Sequence, residues 1–347
     1  MRISGDGEGI MARVKDGPDL ASPAQPIRKR RKRRKSRLLI WLEYALFRGL
    51  AGAVHGMSET RLDRWSSRVG KLASRALPSR NRVAMRNLRA AFPGRSEREL
   101  RGIAADCWRH YARSILDYFR ASREDAEAIT ARIRFDGPKD ELFASIERGP
   151  AMILLAHYGN WEMATYLGTL IDRRVTAVAR RLDNPLIDRD LLKNRERGGL
   201  IILDRRKAAR ELMRALGRGE LVAMVVDQAV KPREGILAPF VGRPAWTTTA
   251  PARLALRYGV PIWCIHVVAE NGGIDVAIDP PVRVPTEGDA EAAIAATTAR
   301  INEQFSRRIV ARPELWLWMH DRWKGAPGGR GVPDESGVGT NESGVGS

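Results

Sequence analysis

The stretch 151–168, AMILLAHYGNWEMATYLG, decides how this chain is read. Its first six residues are apolar without interruption, as suits a strand buried on both faces. The run ends on His157, and Gly159 and Asn160 break it. Asn160 is a good N-cap, which predicts a helix from Trp161 with Glu162 in its first turn. On one continuous helix, five positions would hold the His157 and Glu162 side chains about 140° apart, at about 3.6 residues per turn. A strand, a turn and a helix can instead fold them together. One reading is structural: a buried strand, a capped helix and an incidental histidine. The other is chemical. Ligands of open α/β sheets collect beyond the carboxyl ends of strands. A histidine there can act as general base, with a carboxylate on its other nitrogen to fix the tautomer and stabilise the imidazolium.

No Gly-x-Ser-x-Gly elbow occurs, and neither Cys107 nor Cys264 has an obvious histidine partner in the sequence. A base without an enzyme nucleophile implies that the substrate supplies one, such as an acceptor hydroxyl. Two cysteines build neither a disulfide framework nor a metal cluster.

Outward from this stretch, short apolar runs alternate with helical stretches. ARIRFDG, AMILLAH, RVTAVAR, GGLIIL, ELVAMVVD and VPIWCIHVV read as strands. Helices are predicted over 160–171, 185–197, 206–217, 248–257 and 288–309. This alternation implies an α/β fold with a mixed, largely parallel sheet flanked by helices. Residues 38–122 instead show three- and four-residue apolar spacing, which predicts an N-terminal helical region. The expected organisation is a polybasic leader without structure (1–37), a membrane-associated helical region (38–122), an α/β domain (123–324) and a Gly-rich tail (325–347) that repeats ESGVG.

Sixty Lys and Arg against 41 Asp and Glu give the 347 residues a net charge of +19. Such a charge favours an anionic partner. Residues 28–35 are RKRRKRRK, followed after Ser36 and Arg37 by LLIWLEYALFRGLAGAVHGM. A basic block can bind nucleic acid, but one beside an apolar segment favours anionic lipid headgroups. Glu43 and Arg48 interrupt that segment, and the chain has no uncharged run of about 18 residues. A helix lying in or dipping into the interface is therefore expected, rather than a span or a cleaved signal peptide.

HYGNWE resembles the His-x4-Asp/Glu motif of glycerolipid acyltransferases. In its Gly-Asn-Trp-Glu form it is similar to the bacterial lipid A late acyltransferases. NRVAMRNLRAAFPG, RRLDNPLIDR, GELVAMVVDQ, GILAPFVGRPAWTTTAPARLALRYGVPI and PELWLWMHDRW follow the family's order, so the resemblance covers about 40–324. It implies a glycerolipid acyltransferase-like fold. It also implies transfer of a fatty acyl chain from acyl carrier protein or coenzyme A to a hydroxyl of a lipid A precursor, without a covalent acyl-enzyme. The alternatives are another glycolipid or aminolipid acceptor, such as a phosphatidylinositol mannoside, and a non-catalytic basic protein that binds membrane or nucleic acid. The place implied is the cytoplasmic face of a bacterial inner membrane, with an anionic membrane surface as partner and no specific nucleic acid. Neither a metal nor a prosthetic cofactor is implied. His157 would be the base, Glu162 its orienting acid, and Arg180 the ligand of acceptor phosphate or oxyanion. Asn160, Asp227 and Gln228 would complete the substrate site. Arg181 in place of a frequent proline, and FVG in place of Phe-Phe-Gly, depart from the pattern and bear on the acceptor more than on the chemistry.

Overall fold

A computed structural model describes residues 35–171, 173–179, 181–204 and 208–329. Most of the basic leader, the ESGVG repeats and Arg180 lie outside these residues, so the expectations placed on them do too.

The sheet takes its position from continuous apolar runs. Its strands are β1 (Ile133–Asp136), β2 (Met152–Leu155), β3 (Val175–Ala179), β4 (Leu200–Asp204), β5 (Leu221–Val225), β8 (Ile262–Glu270) and β9 (Gly273–Ile278), in the spatial order β1-β9-β8-β2-β5-β3-β4. From β8 to β4 all neighbours are parallel. β9 is antiparallel to β8, and β1 is parallel to β9. The sheet is thus mixed and mostly parallel, as the alternating pattern predicts. Both faces of β2 are buried. Met152 and Leu154 enter one core with Val222, Ile262 and Cys264, while Ile153 and Leu155 enter the other with Leu221, Trp263 and Ile265. Each such aliphatic side chain contributes about 1.5–3 kcal/mol on burial.

Three strands go beyond the sequence reading. β6 (Gly235–Phe240) and β7 (Arg243–Thr248) form a separate antiparallel hairpin, and β9 closes a second hairpin with β8. Both turns need positive φ at two successive residues. Val241 and Gly242 adopt 47° and 73°, and Asn271 and Gly272 adopt 52° and 75°. Asn-Gly is the common solution for this turn type. A β-branched valine is a costly one, and its buried N–H donates to Ser306 Oγ at 2.9 Å.

The helical region contains α1 (Arg37–His55), α2 (Glu59–Ala76), α3 (Pro78–Ala91) and α4 (Glu97–Ala121). Pro78 opens α3, and a capping box formed by Ser96 and Glu99 opens α4. α2 packs tightly on α4, because a Cβ on Gly70 would come within 2.7 Å of the Trp108 carbonyl. The remaining helices are α5 (Ala126–Thr130), α6 (Lys139–Arg148), α7 (Pro185–Arg197), α8 (Ala208–Gly217), α9 (Ala250–Tyr258) and α10 (Ala290–Ala311).

The predicted helix after Asn160 is a 3-10 helix, Trp161–Leu170, and Asn160 does not cap it through its side chain. The Asn160 amide is buried instead. It donates to Asp117 Oδ2 at 3.1 Å and accepts from the Ala269 N–H at 2.9 Å. These bonds fasten the turn to α4 and β8 and satisfy a side chain that burial would otherwise penalise.

α1 resolves an ambiguity in its sequence. Three of its polar residues reach α7 and the residue before it. Tyr44 donates to Asp190 at 2.8 Å, Arg48 pairs with Asp190 at 3.4 Å, and Glu43 accepts from Asn184 at 2.9 Å. Its outward side carries a largely apolar stripe: Leu38, Trp41, Leu42 and Leu46 are 59–72% exposed. By length and composition α1 is apolar enough to cross a membrane.

Candidate active site

β2 and β5 are neighbours with Leu155 opposite Val225. His157 and Asp227 lie two residues beyond that pair, so the register alone brings them together at the carboxyl edge of the sheet. β2 is also where the winding reverses, with β5, β3 and β4 on one side and β8 on the other. Such switch points are where open α/β sheets bind ligands.

The bond between the two is direct. His157 Nδ1 lies 2.7 Å from Asp227 Oδ1, and the His157 backbone N–H donates to Asp227 Oδ2 at 2.9 Å. Trp316 Nε1–H donates to the same Oδ2 at 2.7 Å. A carboxylate on Nδ1 puts the ring proton there and leaves the lone pair on Nε2. Gln228 Nε2 lies 3.3 Å from that nitrogen.

Burial pushes the His157 imidazole toward the neutral form, but the Asp227 charge and hydrogen bond outweigh it and raise its pKa above the ordinary value. Burial likewise raises Asp227. The imidazole and the three N–H donors more than reverse this, and hold the carboxyl below the usual carboxylate range.

The Nδ1 position predicted for Glu162 is therefore occupied by Asp227. Glu162 lies nearby but faces a cation. Arg195 of α7 grips it with two bonds, Nη2 to Oε1 at 2.7 Å and Nε to Oε2 at 3.2 Å. Neither Arg195 nor Trp316 is singled out as a site residue by sequence reasoning. Arg195 sits in a helix 33 positions from its partner, where nothing local distinguishes it from other arginines. Trp316 belongs to the closing PELWLWMHDRW motif, which gave a signal without a role. Asn160 is sealed into the turn, and Gln228 stands beside His157.

Gly159 makes the turn possible. Its φ is 61°, and an added Cβ would lie 2.1 Å from the Val267 carbonyl. The Gly159 N–H donates to Leu315 O at 2.9 Å, and the Leu317 N–H donates to His157 O at 3.1 Å. The closing segment thus holds the turn from the other side.

A cavity of about 840 Å³ opens beside His157. Glu162, Arg195 and Gln228 contribute polar groups to its lining. Apolar side chains such as Leu155, Leu167, Ile202, Leu212 and Met224 make up much of the rest. A cavity of this size and character suits an extended apolar ligand with one polar end. Cys107 and Cys264 are buried thiols away from it.

The chain matches the family described as bacterial lipid A biosynthesis acyltransferase over residues 26–325. It is 27% identical over 268 residues to the lipid A biosynthesis lauroyltransferase of Escherichia coli K12, covering 76% of this chain and 85% of that one. The palmitoleoyltransferase of the same organism is 24% identical over equal shares. A phosphatidylinositol mannoside acyltransferase of Mycobacterium tuberculosis CDC 1551 / Oshkosh is 26% identical over 61% of this chain and 67% of its own length. Among solved structures, the 1-acyl-sn-glycerophosphate acyltransferase PlsC of Thermotoga maritima is similar with a TM-score of 0.35 and 13% identity, over 74% of this chain and 99% of that one. With the family match spanning nearly all of the described fold, the chain belongs to the bacterial lipid A biosynthesis acyltransferases and is an acyltransferase.

Proposed function

We propose that the protein moves a fatty acyl chain from an acyl thioester, on acyl carrier protein or coenzyme A, to a hydroxyl of a lipid A precursor. The observation that carries this reading is the His157–Asp227 bond at 2.7 Å beside a largely apolar cavity. Nε2 of His157 takes the proton of the acceptor hydroxyl as the oxygen attacks the thioester carbonyl. Asp227 stabilises the imidazolium. Collapse of the tetrahedral intermediate expels the thiolate, which recovers the proton from Nε2. The substrate is the nucleophile, so no covalent acyl-enzyme forms.

Glu162 acts through Arg195 in this scheme, holding a guanidinium at the cavity wall where an anionic group of substrate would sit. Arg180 is proposed as a second cation for acceptor phosphate or the oxyanion. Gln228 holds the lone-pair side of the base until substrate displaces it. Asn160 takes no direct part and keeps the turn in place.

The setting we propose is the cytoplasmic face of a bacterial inner membrane. One side of α1 is occupied by α4 and α7, so its outward apolar stripe suits a helix lying in the interface. α2 adds Arg64, Arg68 and Lys71 to the exposed surface, beside Trp65 at 41% and Leu72 at 69% exposure. Each cation near an anionic surface contributes about 1 kcal/mol. A phosphatidylinositol mannoside is the second acceptor reading, supported by the mycobacterial relatives.

The test is expression in a bacterial host lacking its own late acyltransferases, with lipid A weighed by mass spectrometry. A gain of one acyl group that His157→Ala abolishes is the expected result. An unchanged lipid A, with the protein present and folded, rejects this acceptor.

A further inference from the structure

Two motifs of this chain take no step in the scheme above: the Asn-Leu…Phe-Pro segment, which ends α3 and continues past it, and the closing WLWMHDRW, of which Trp316 and Leu317 brace the site. The structure locks them together. Buried Asn87 of α3 donates both amide hydrogens to the closing segment, to Trp318 O at 3.0 Å and His320 O at 2.8 Å. Arg86 pairs with Asp321, and Phe92 lies against Trp318. The segment then reaches the catalytic pair from both ends. Leu315 O and the Leu317 N–H hold Gly159 and His157, Trp316 holds Asp227, and His320 Nε2 lies 3.3 Å from the Ala229 backbone nitrogen.

The last contact fixes a protonation state by geometry. A backbone N–H only donates, so Nε2 of His320 must present its lone pair. We propose that His320 is a positioning residue for acyl transfer: by accepting the Ala229 N–H it holds the Asp227–Gln228 turn against His157, and Asn87 holds His320 in turn. The proposal rests on the acyltransferase mechanism for its kinetic consequences only, since the geometric consequence exists without turnover. A proton on Nε2 would set two N–H groups against each other and push the turn away from His157.

The charges around His320 agree with this. Burial keeps it toward the neutral form. Asp227 draws a proton toward it, whereas His157 and Arg322 repel one, and Asp321 is offset by its pairing with Arg86. His320 titrates below the ordinary histidine value and His157 above it, so as pH falls His157 is protonated first. A second protonation, at His320, then removes what support the turn retains.

Two variants separate positioning from bulk. His320→Gln keeps an acceptor near the place of Nε2; His320→Phe fills the space without one. His320→Phe is expected to lower kcat at least about tenfold with the donor KM little changed, and His320→Gln to restore most of the loss. In the parent, log kcat against pH should steepen from a slope of one toward two at the acid end, and the Gln variant should keep a slope of one. Proton NMR of the full chain reads the same effect without substrate, as a downfield, exchange-protected His157 Nδ1–H resonance that is kept in the Gln variant and lost in the Phe variant. A Phe variant with parental rate and resonance overturns the proposal. So does a Phe variant rescued equally well by residues lacking an acceptor. If the parent shows the resonance and its loss in the Phe variant but transfers no acyl group, the proposed chemistry fails while the positioning stands.

Discussion

Two histidine–aspartate pairs sit on this sheet, and they act on their imidazoles in opposite directions. His157 and Asp227 are 2.7 Å apart, and His157 is raised. His266 of β8 and Asp279 are 2.9 Å apart, and His266 is lowered. Burial disfavours the imidazolium in both. The difference lies in what else claims the carboxylate. Asp227 receives N–H donors from a histidine, a tryptophan and the backbone, and its charge bears directly on His157. Asp279 is shared with Arg308, at 2.8 and 3.2 Å, and a guanidinium beside the pair repels a second cation. Access differs as well. The His266 side chain is 2% exposed and edged by Tyr158 and Phe305, whereas His157 is 19% exposed and lines the cavity. The same two residue types make a cavity-lining pair with a raised imidazole in one place and a filled core position in the other.

The sharpest way to break this contrast is to remove each histidine. His157→Ala should lower the acyl-transfer rate about 10²–10⁴-fold in protein that still folds, as measured on the folded fraction. His266→Ala should instead cost about 1–3 kcal/mol of stability, measured by urea unfolding, with folded protein transferring acyl groups at close to the parental rate. If the His266 variant lost activity without losing stability, the two pairs would not be divided in this way.

Next in size is the pH profile. A base must be neutral, so activity should rise with pH through the raised His157 pKa, with its midpoint above that of an ordinary histidine. Asp227→Asn removes the charge that opposes burial, so it should shift the midpoint to lower pH while reducing the plateau about 10²-fold. Asp279→Asn should move neither.

Gly159 lies between the pairs, following His157 and pressed on Val267 beside His266. Gly159→Ala should therefore disturb both, with a loss of about 2 kcal/mol or more in unfolding and a lower rate for the folded fraction. The smallest effect is the most diagnostic. Arg308→Met frees Asp279 for His266, and NMR titration of the imidazole should show its pKa rising. An unmoved value would mean that burial alone sets it.

Much of this arrangement is legible in the sequence, and the limits have physical causes. β2 announces itself because a strand buried on both faces needs an unbroken apolar run, and His157 because it ends that run. β6 hides because Pro239 and small residues replace the β-branched pattern. β9 hides because its best signal, Asn271-Gly272, is a turn rather than a strand. The partner of His157 is harder. Glu162 is near in sequence, but Arg195 claims it from another helix. Asp227 is seventy positions away and is found only by knowing that β2 and β5 are neighbours in register. The mixed helical wheel of α1 has a similar origin, since Glu43 bonds Asn184, the residue that opens α7, and Tyr44 bonds Asp190 within it.

The route of the chain also imposes an order of events. His157, Gly159 and Asp227 all leave the ribosome before Leu315, Trp316 and His320, the residues that brace them. A nascent polypeptide carrying both members of the pair still lacks the indole on its carboxylate and the backbone bonds that close its turn. The fold therefore delays assembly of the proposed site until its most distant contacts are made, so synthesis must run past the tryptophan-rich segment before the site is complete.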